Sequence, residues 1–357
     1  PELTAAPSAG PDRIGIPDRT SSPPWRLRGD RVGRWPTAAV VAGLLVAVAG
    51  SLGPYPDFQL AAIASYAVAV AGLSLLVGQG GRASFGQGAL MAVGAYSQAT
   101  LTTLLGVPAL AALVLAVAVG GVAGAALGLL TARLPGSSFA VVTLVLAVTV
   151  PSLPAGLPAA FGGSGGLPAR PFLPSAPGVA TQWWPAVVCC VVAVTVLTAL
   201  ANLVDSSFGR SLRAVRDDPE AAELGGLSVR LVRTTGFAAS AACGALGGAL
   251  LTTVVGVASP DGFPLSLSLT LLAAVVLGGA GSLSGAVAGA GFVVLLPQLA
   301  AALADPLHLS VAAGANLPPA AYGLALIAVV RYAPGGLSAV CARGLRRLGG
   351  GQAADVD

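Results

Sequence analysis

Apolar runs dominate this chain, with only brief polar punctuation between them. Most approach the roughly 20 residues that a helix needs to cross the hydrocarbon core of a bilayer. Ten such runs can be drawn, over 37–52, 58–77, 85–105, 108–132, 139–153, 185–204, 237–257, 267–277, 283–303 and 317–330. Two of them are short, so the number of full crossings lies between eight and ten. Glycine-rich breaks interrupt the pattern twice: GQGGRAS after the second run and GGAGS between the eighth and ninth. A long Pro/Gly loop follows the fifth run and closes on Trp183 and Trp184, an aromatic pair of the kind found at membrane interfaces. One stretch is polar throughout. Residues 205–237, DSSFGRSLRAVRDDPEAAELGGLSVRLVRTTGF, stand between two apolar spans, and such an island calls for a partner outside the bilayer.

Composition sharpens this into a class. Of 357 residues, 55% are hydrophobic and only 9% charged, against roughly 25% charged in soluble domains. The expected fold is an all-α polytopic integral membrane protein of about ten transmembrane helices embedded in a lipid bilayer. Residues 1–36, rich in Pro, Ser and Arg, read as a disordered basic tail. The spans keep coming after the first, which therefore reads as a retained anchor rather than a cleaved leader. The transmembrane domain covers 37–333, with its polar loop at 205–236, and 334–357 form a second tail.

Charge fixes the expected orientation. The chain has no lysine, and all 18 basic residues are arginine. With the N-terminus inside and strict alternation, the tail arginines, Arg82, Arg133, the five of the island, Arg331, Arg343, Arg346 and Arg347 all fall inside, and only Arg170 falls outside. That asymmetry predicts both termini in the cytoplasm, and the island with them. Asp57, Asp261 and Asp305 fall in expected external loops, and no acid falls in mid-span, which counts against a proton-driven carrier. A phosphate-binding P-loop needs a lysine, so the chain offers no ATPase site of that kind. The net charge of +4 sits in juxtamembrane loops and does not signal nucleic acid. His308, the single histidine, reads as a solvated loop residue. Cys189, Cys190, Cys243 and Cys341 show no metal spacing. No catalytic residue, metal or cofactor is expected.

Within the island, Arg210, Arg213 and Arg216 recur every third residue, along one side of a helix. Asp217, Asp218 and Pro219 supply helix-start chemistry. Glu220, Ala221, Ala222, Glu223 and Leu224 favour helix, and Gly225 and Gly226 end it. A short helix outside the bilayer is predicted, either as a docking element or as a solvated loop.

FGRSLRAVRDDPEAAELGG resembles the cytoplasmic coupling loop of ABC importer permeases, and more narrowly that of the branched-chain amino acid (LivM-type) permeases. Gly209, Arg210, Leu212, Arg213, Ala214, Arg216, Ala221, Ala222 and Gly226 carry the likeness, and Glu220, Ala221, Ala222 and Gly226 match the wider E-A-A-x-x-x-G pattern. VGQGGRASFGQGALMAVGAY resembles the first glycine-rich motif of that family, through Ser84, Gly86, Gln87, Gly94, Ala95 and Tyr96; Arg82 departs from it, standing where the family usually has glutamine. FGGSGGL, VVLGGAGSLSGAVAGA and RYAPGGL follow in the family's order, so the likeness covers about 37–340. It implies a permease subunit for branched-chain or other hydrophobic amino acids, with urea or short amides as alternative cargo. A stand-alone secondary transporter is the alternative of another class. The implied partners are a second homologous permease, two cytoplasmic ATP-binding subunits and an extracytoplasmic substrate-binding protein. Arg213, Arg216, Asp217, Asp218, Glu220, Ala221, Ala222 and Gly226 would engage the ATPase. Gln79, Ser84, Gln87, Tyr96, Gly278 and Gly281 would line the path, while hydrogen bonding between helices accounts for the polar ones equally well. Gly78, Gly81 and Ser84 share their spacing with Gly278, Gly281 and Ser284, from duplication or from a shared need for small residues at helix contacts.

Overall fold

A segment without water must satisfy its own backbone, and apolar runs do so as helices. The computed structural model describes residues 34–48, 53–171, 183–304, 320–324, 327–328 and 331. In chain order the helices are α1 (Arg34–Val48), α2 (Pro54–Ser74), α3 (Gln87–Thr103), α4 (Ala109–Thr131), α5 (Gly136–Gly156), α6 (Pro158–Phe161), α7 (Trp183–Asp205), α8 (Ser207–Asp217), α9 (Pro219–Leu224), α10 (Val229–Val255), α11 (Leu265–Gly278) and α12 (Leu283–Ala304). A π-helical turn, Leu75–Gln79, continues α2. Two short strands, β1 (Leu167–Pro168) and β2 (Val257–Ala258), pair antiparallel, a feature the helical pattern did not predict.

Among the described residues, six helical segments are long and apolar enough to cross a membrane: Pro54–Gln79, Ala109–Thr131, Gly136–Pro154, Trp184–Asp205, Val229–Val255 and Pro260–Gly278. Three of the other expected spans, α1, α3 and the apolar part of α12, are shorter. The third begins at Gln87 rather than Phe85, because 80–86 follow no helical path. Half of the tenth expected run lies outside the described residues, as do Asp305, His308, Cys341, residues 1–33, 172–182 and 332–357. Asp57, expected in a loop, sits buried in the first turn of α2, where a carboxylate complements the positive end of the helix dipole.

Antiparallel α2 and α10 form the centre. Gly72 lies against Ser240 and Cys243, and Gly247 against Ser65 and Ala69. Between lipid-bathed helices apolar burial drives little, so close backbone approach decides the packing. On α4, Gly120, Gly124 and Gly128 form a stripe that meets Ala245, Ala241 and Thr234 of α10. α7 and α12 pack on α2, and α11 packs on α12. Val114, Val122, Leu130, Val141, Val145 and Val148 of α4 and α5 are exposed, as lipid-facing side chains should be.

The series α2–α3–α4 and α10–α11–α12 are laid out alike in opposite senses: α4 rests on α10, and α12 on α2. α3 and α11 begin inside the bundle, where the Gly88 amide donates to Ser268 Oγ (3.0 Å). The bundle has two distinct ends. At one, Arg82, Arg213, Arg216 and Arg233 reach helix termini and the glycine break. At the other, β1 pairs with β2, Thr103 Oγ1 donates to the Pro168 carbonyl (2.5 Å) and the Ala169 amide to that of Gly256 (2.9 Å).

Candidate functional site

The polar island folds as two helices, one over the arginine period and one between the Asp218 cap and the glycine stop. Ser206 caps α8, its Oγ accepting from the Phe208 amide (3.2 Å). Leu212 and Val215 form the buried face of α8. The chain then turns at Asp218, whose carboxylate accepts from the amides of Glu220 and Ala221, both at 3.0 Å, with Pro219 in the first turn of α9. Gly226, at φ +83°, ends that helix in a left-handed conformation that suits glycine. Ala222 is buried with Val215 and Val229, which holds α9 against α8 and α10. The rest of α9 faces outward: Glu220, Ala221 and Glu223 are exposed, and Leu224 is 92% exposed.

Two arginines of the arm turn back into the bundle. Arg213 Nη1 donates to Gln79 Oε1 (2.8 Å) and to the Val204 carbonyl (3.2 Å) near the end of α7. Arg216 Nη1 donates to the Gly78 carbonyl, and its stem lies over Gly81, whose φ of +65° and missing Cβ make room for it. The exposed Arg216 also pairs with Asp217 (3.4 Å), a solvent-screened contact that adds little. Helix C-termini leave carbonyls without partners and carry partial negative charge, so guanidinium groups suit both needs. The same chemistry recurs at α4. Arg82 Nη2 donates to the Leu134 carbonyl (2.9 Å) and Arg233 Nη1 to that of Ala132 (3.2 Å). The Arg82 guanidinium also lies 4.1 Å over the Phe139 ring. Burial, helped by Arg233, lowers the Arg82 pKa to about 10, which leaves it charged at neutral pH.

The two glycine-rich breaks touch. A Cβ on Gly78 would fall on the Gly281 backbone, and the Gly281 amide donates to Ser74 Oγ (2.9 Å). Gly278 lies equally close to Gly285 at the turn between α11 and α12. Gln79, Gly278 and Gly281 thus gather in one place with Arg213 and Arg216. The like spacing of the breaks goes with direct contact between them; in the inverted layout the counterpart of 80–86 is the connection between α10 and α11.

Ser84 and Gln87 lie deeper. From Gly80 the chain runs back into the bundle, so that Gln87 Nε2 donates to the Ala69 carbonyl (2.9 Å). Ala69 stands about 15 Å of helix rise before Gln79 on α2. Gln87 also exchanges longer bonds with Ser240, both at 3.4 Å. The opening amides of this stretch are met by hydroxyls: Phe85 by Thr143 Oγ1 (3.0 Å) and Gly86 by Ser84 Oγ (3.3 Å). Tyr96 is apart from all of these. It stacks edge-on against Phe161 (5.6 Å between centroids) and borders a largely apolar cavity of about 390 Å³ between α3, α4 and α5. Ala92, Ser97, Val119 and Leu153 line it too. Phe161 belongs to the FGGSGGL motif, whereas Thr143 and Ser268, which meet the Phe85 and Gly88 amides, carry no sequence signal that would have marked them; each is a common residue in an apolar run.

A helical bundle with dipole-capping arginines at one end, broken helices inside it and a polar arm standing off it defines a multi-pass membrane protein of the transport type. The chain belongs to the family described as branched-chain amino acid transport system / permease component, whose model matches residues 55–331. It is 30% identical over 242 residues to the high-affinity branched-chain amino acid transport system permease protein LivM of Escherichia coli (strain K12), and equally to that of Salmonella typhimurium (strain LT2). The match covers 61% of this chain and 57% of each relative, so the chain spans little more than half the length of the curated relatives it matches. No solved structure matches significantly. The protein is a transport permease component and a multi-pass protein of the inner membrane.

Proposed function

We propose that this chain is the membrane-spanning subunit of a bacterial ABC importer, moving branched-chain or other hydrophobic amino acids with energy from ATP hydrolysed on partner subunits. The arm formed by α8 and α9 carries this reading. Its inner face is bonded to helix termini through Arg213 and Arg216, while α9 offers Glu220, Glu223 and the exposed Leu224 outward. A rigid, capped helix joined to the bundle in this way transmits displacement, where a floppy loop would absorb it. In this reading the arginine end is cytoplasmic, the chain makes ten crossings, and both termini are inside. A second related permease, two ATPases and an external binding protein complete the assembly. Substrate would arrive at the β1–β2 end and pass by Tyr96, Gln87 and Ser84 towards the paired glycine breaks. The apolar lining beside Tyr96 favours a hydrophobic cargo over urea or short amides.

Co-expression with candidate ABC ATPase subunits from the same genome tests the coupling role. Glu220→Lys combined with Gly226→Pro should abolish ATPase co-purification while membrane insertion stays intact. Unchanged assembly and uptake would sink the reading. Uptake of radiolabelled leucine, urea and acetamide by vesicles holding the whole assembly separates the cargoes. Ion-gradient uptake by this chain alone would establish a secondary transporter instead.

A further inference from the structure

Three elements meet at the arginine end in an arrangement that the coupling role does not itself require. The first is the π-helical turn Leu75–Gln79, an expanded last turn of the kind that marks functional sites. It turns the Gly78 carbonyl and the Gln79 side chain towards α8. The second is the α11–α12 turn, whose Gly279 and Gly281 take φ of +106° and +85°. It meets the π turn backbone to backbone at Gly78 and Gly281, and is fixed there by the Gly281 amide on Ser74 Oγ. The third is α8, bonded to the π turn twice, through Arg213 on Gln79 and Arg216 on Gly78.

The two breaks belong to opposite halves of the inverted layout, so their contact closes the seam between halves at this end. Close backbone contact holds it, and among the described residues one hydrogen bond, Gly281 to Ser74, crosses it at this end. The arginine bonds from α8 attach to one side of the seam alone. Movement of α8 would therefore pull the π turn and leave the α11–α12 turn behind. Arg213 also holds the Val204 carbonyl of α7, the helix that leads into α8, so the arm is braced on α7 as well as on the π turn.

We propose that Arg213 and Arg216 are positioning residues for a gate made by Gly78 against Gly281, tethering its α2 side to the arm. The gate's effect on transport rests on the importer reading above; the tether itself does not. Two measurements separate them. In the first, spin labels are placed on exposed residues of the two breaks, as Ala83→Cys with Ala280→Cys, in the purified full chain with Cys341→Ser, in nanodiscs. The interspin distance should be short and narrowly distributed. With Arg213→Ala and Arg216→Ala it should lengthen or broaden, and Arg213→Lys with Arg216→Lys should restore much of the narrow distribution. An unchanged distribution in the alanine variant overturns the tether, whatever the chain transports. In the second, vesicles carrying the whole assembly are assayed for leucine uptake per ATP hydrolysed. The alanine variant should lose at least about tenfold in that ratio while ATPase activity persists, and the lysine variant should recover part of it. A variant that merely folds less well lowers uptake and hydrolysis together and leaves the ratio alone, which would overturn the gate. Absence of ATP-driven uptake in the unmodified assembly would overturn the importer reading and with it the gate, with the spin-label result still deciding the tether.

Discussion

Gly94 shows how little room single residues have where α3 crosses α10. A Cβ there would fall on the main chain of Ala245, and one on Gly248 would fall on Met91. Backbone cannot yield as a flexible side chain does, so Gly94→Ala should destabilise the bundle by about 1–3 kcal/mol or more, as overpacking does. Gly291→Ala, with nothing within 4 Å, should leave it unchanged. Thermal unfolding of both variants in detergent, followed by size exclusion, checks the contrast. Gln87→Leu removes the bonds to Ala69 and Ser240 and should cost about 0.6–2 kcal/mol, the range for polar contacts within membrane proteins. Glutamines in apolar runs stand out in a sequence and mark Gln79 and Gln87, while Gly94 is marked only by the resemblance to the family's first glycine-rich motif. Their partners were not legible. Nothing local marks Ala245 or Ser240 as lying opposite, since that depends on how two distant helices cross.

At the scale of the element, local signals carried furthest. Asp218, Pro219 and the Gly225-Gly226 pair predicted α9 nearly to its ends, because caps and stops act within one turn. Asp218→Ala strips two amides of their acceptor and should cost about 0.5–2 kcal/mol. Hydrogen exchange should quicken at Glu220 and Ala221 and through α9, while α10 holds its protection; Asp218→Asn should keep most of it. The preceding helix was only half legible. A three-residue arginine period gave its helical character, but its Ser206 cap went unmarked. That Arg213 and Arg216 turn inward was not readable, because a basic stripe on a loop helix ordinarily faces water. The break at 80–86 was readable as a break, but its return into the bundle was not. The return depends on hydroxyls of Thr143 and Ser84 that answer the amides of Phe85 and Gly86.

For the whole molecule, the count of arginines predicted which connections share an end, and the bonds of Arg82, Arg213, Arg216 and Arg233 gather at one end in agreement with it. The count could not tell that these same residues finish helix C-termini. A lysine-free chain uses guanidinium groups there, and their several donors suit bare carbonyls. Orientation is open to direct measurement. In a chain whose Cys341 is replaced by serine, Glu223→Cys on α9 should react with a membrane-impermeant maleimide only after cells are permeabilised. Ser164→Cys, exposed beyond α5, should react in intact cells. Cys189, Cys190 and Cys243 are buried and should stay silent. The reverse pattern would invert the topology.

The rims of the bundle are fastened by different means. The β1–β2 rim is joined through main-chain hydrogen bonds, which no ion displaces. Its opposite rim is buttoned by guanidinium groups resting on carbonyl oxygens, and every anion in the surrounding solution competes for those groups. A body stapled along one edge and buttoned along the other opens more readily at the buttons. How firmly that edge stays shut then depends on the electrolyte it faces as well as on the chain.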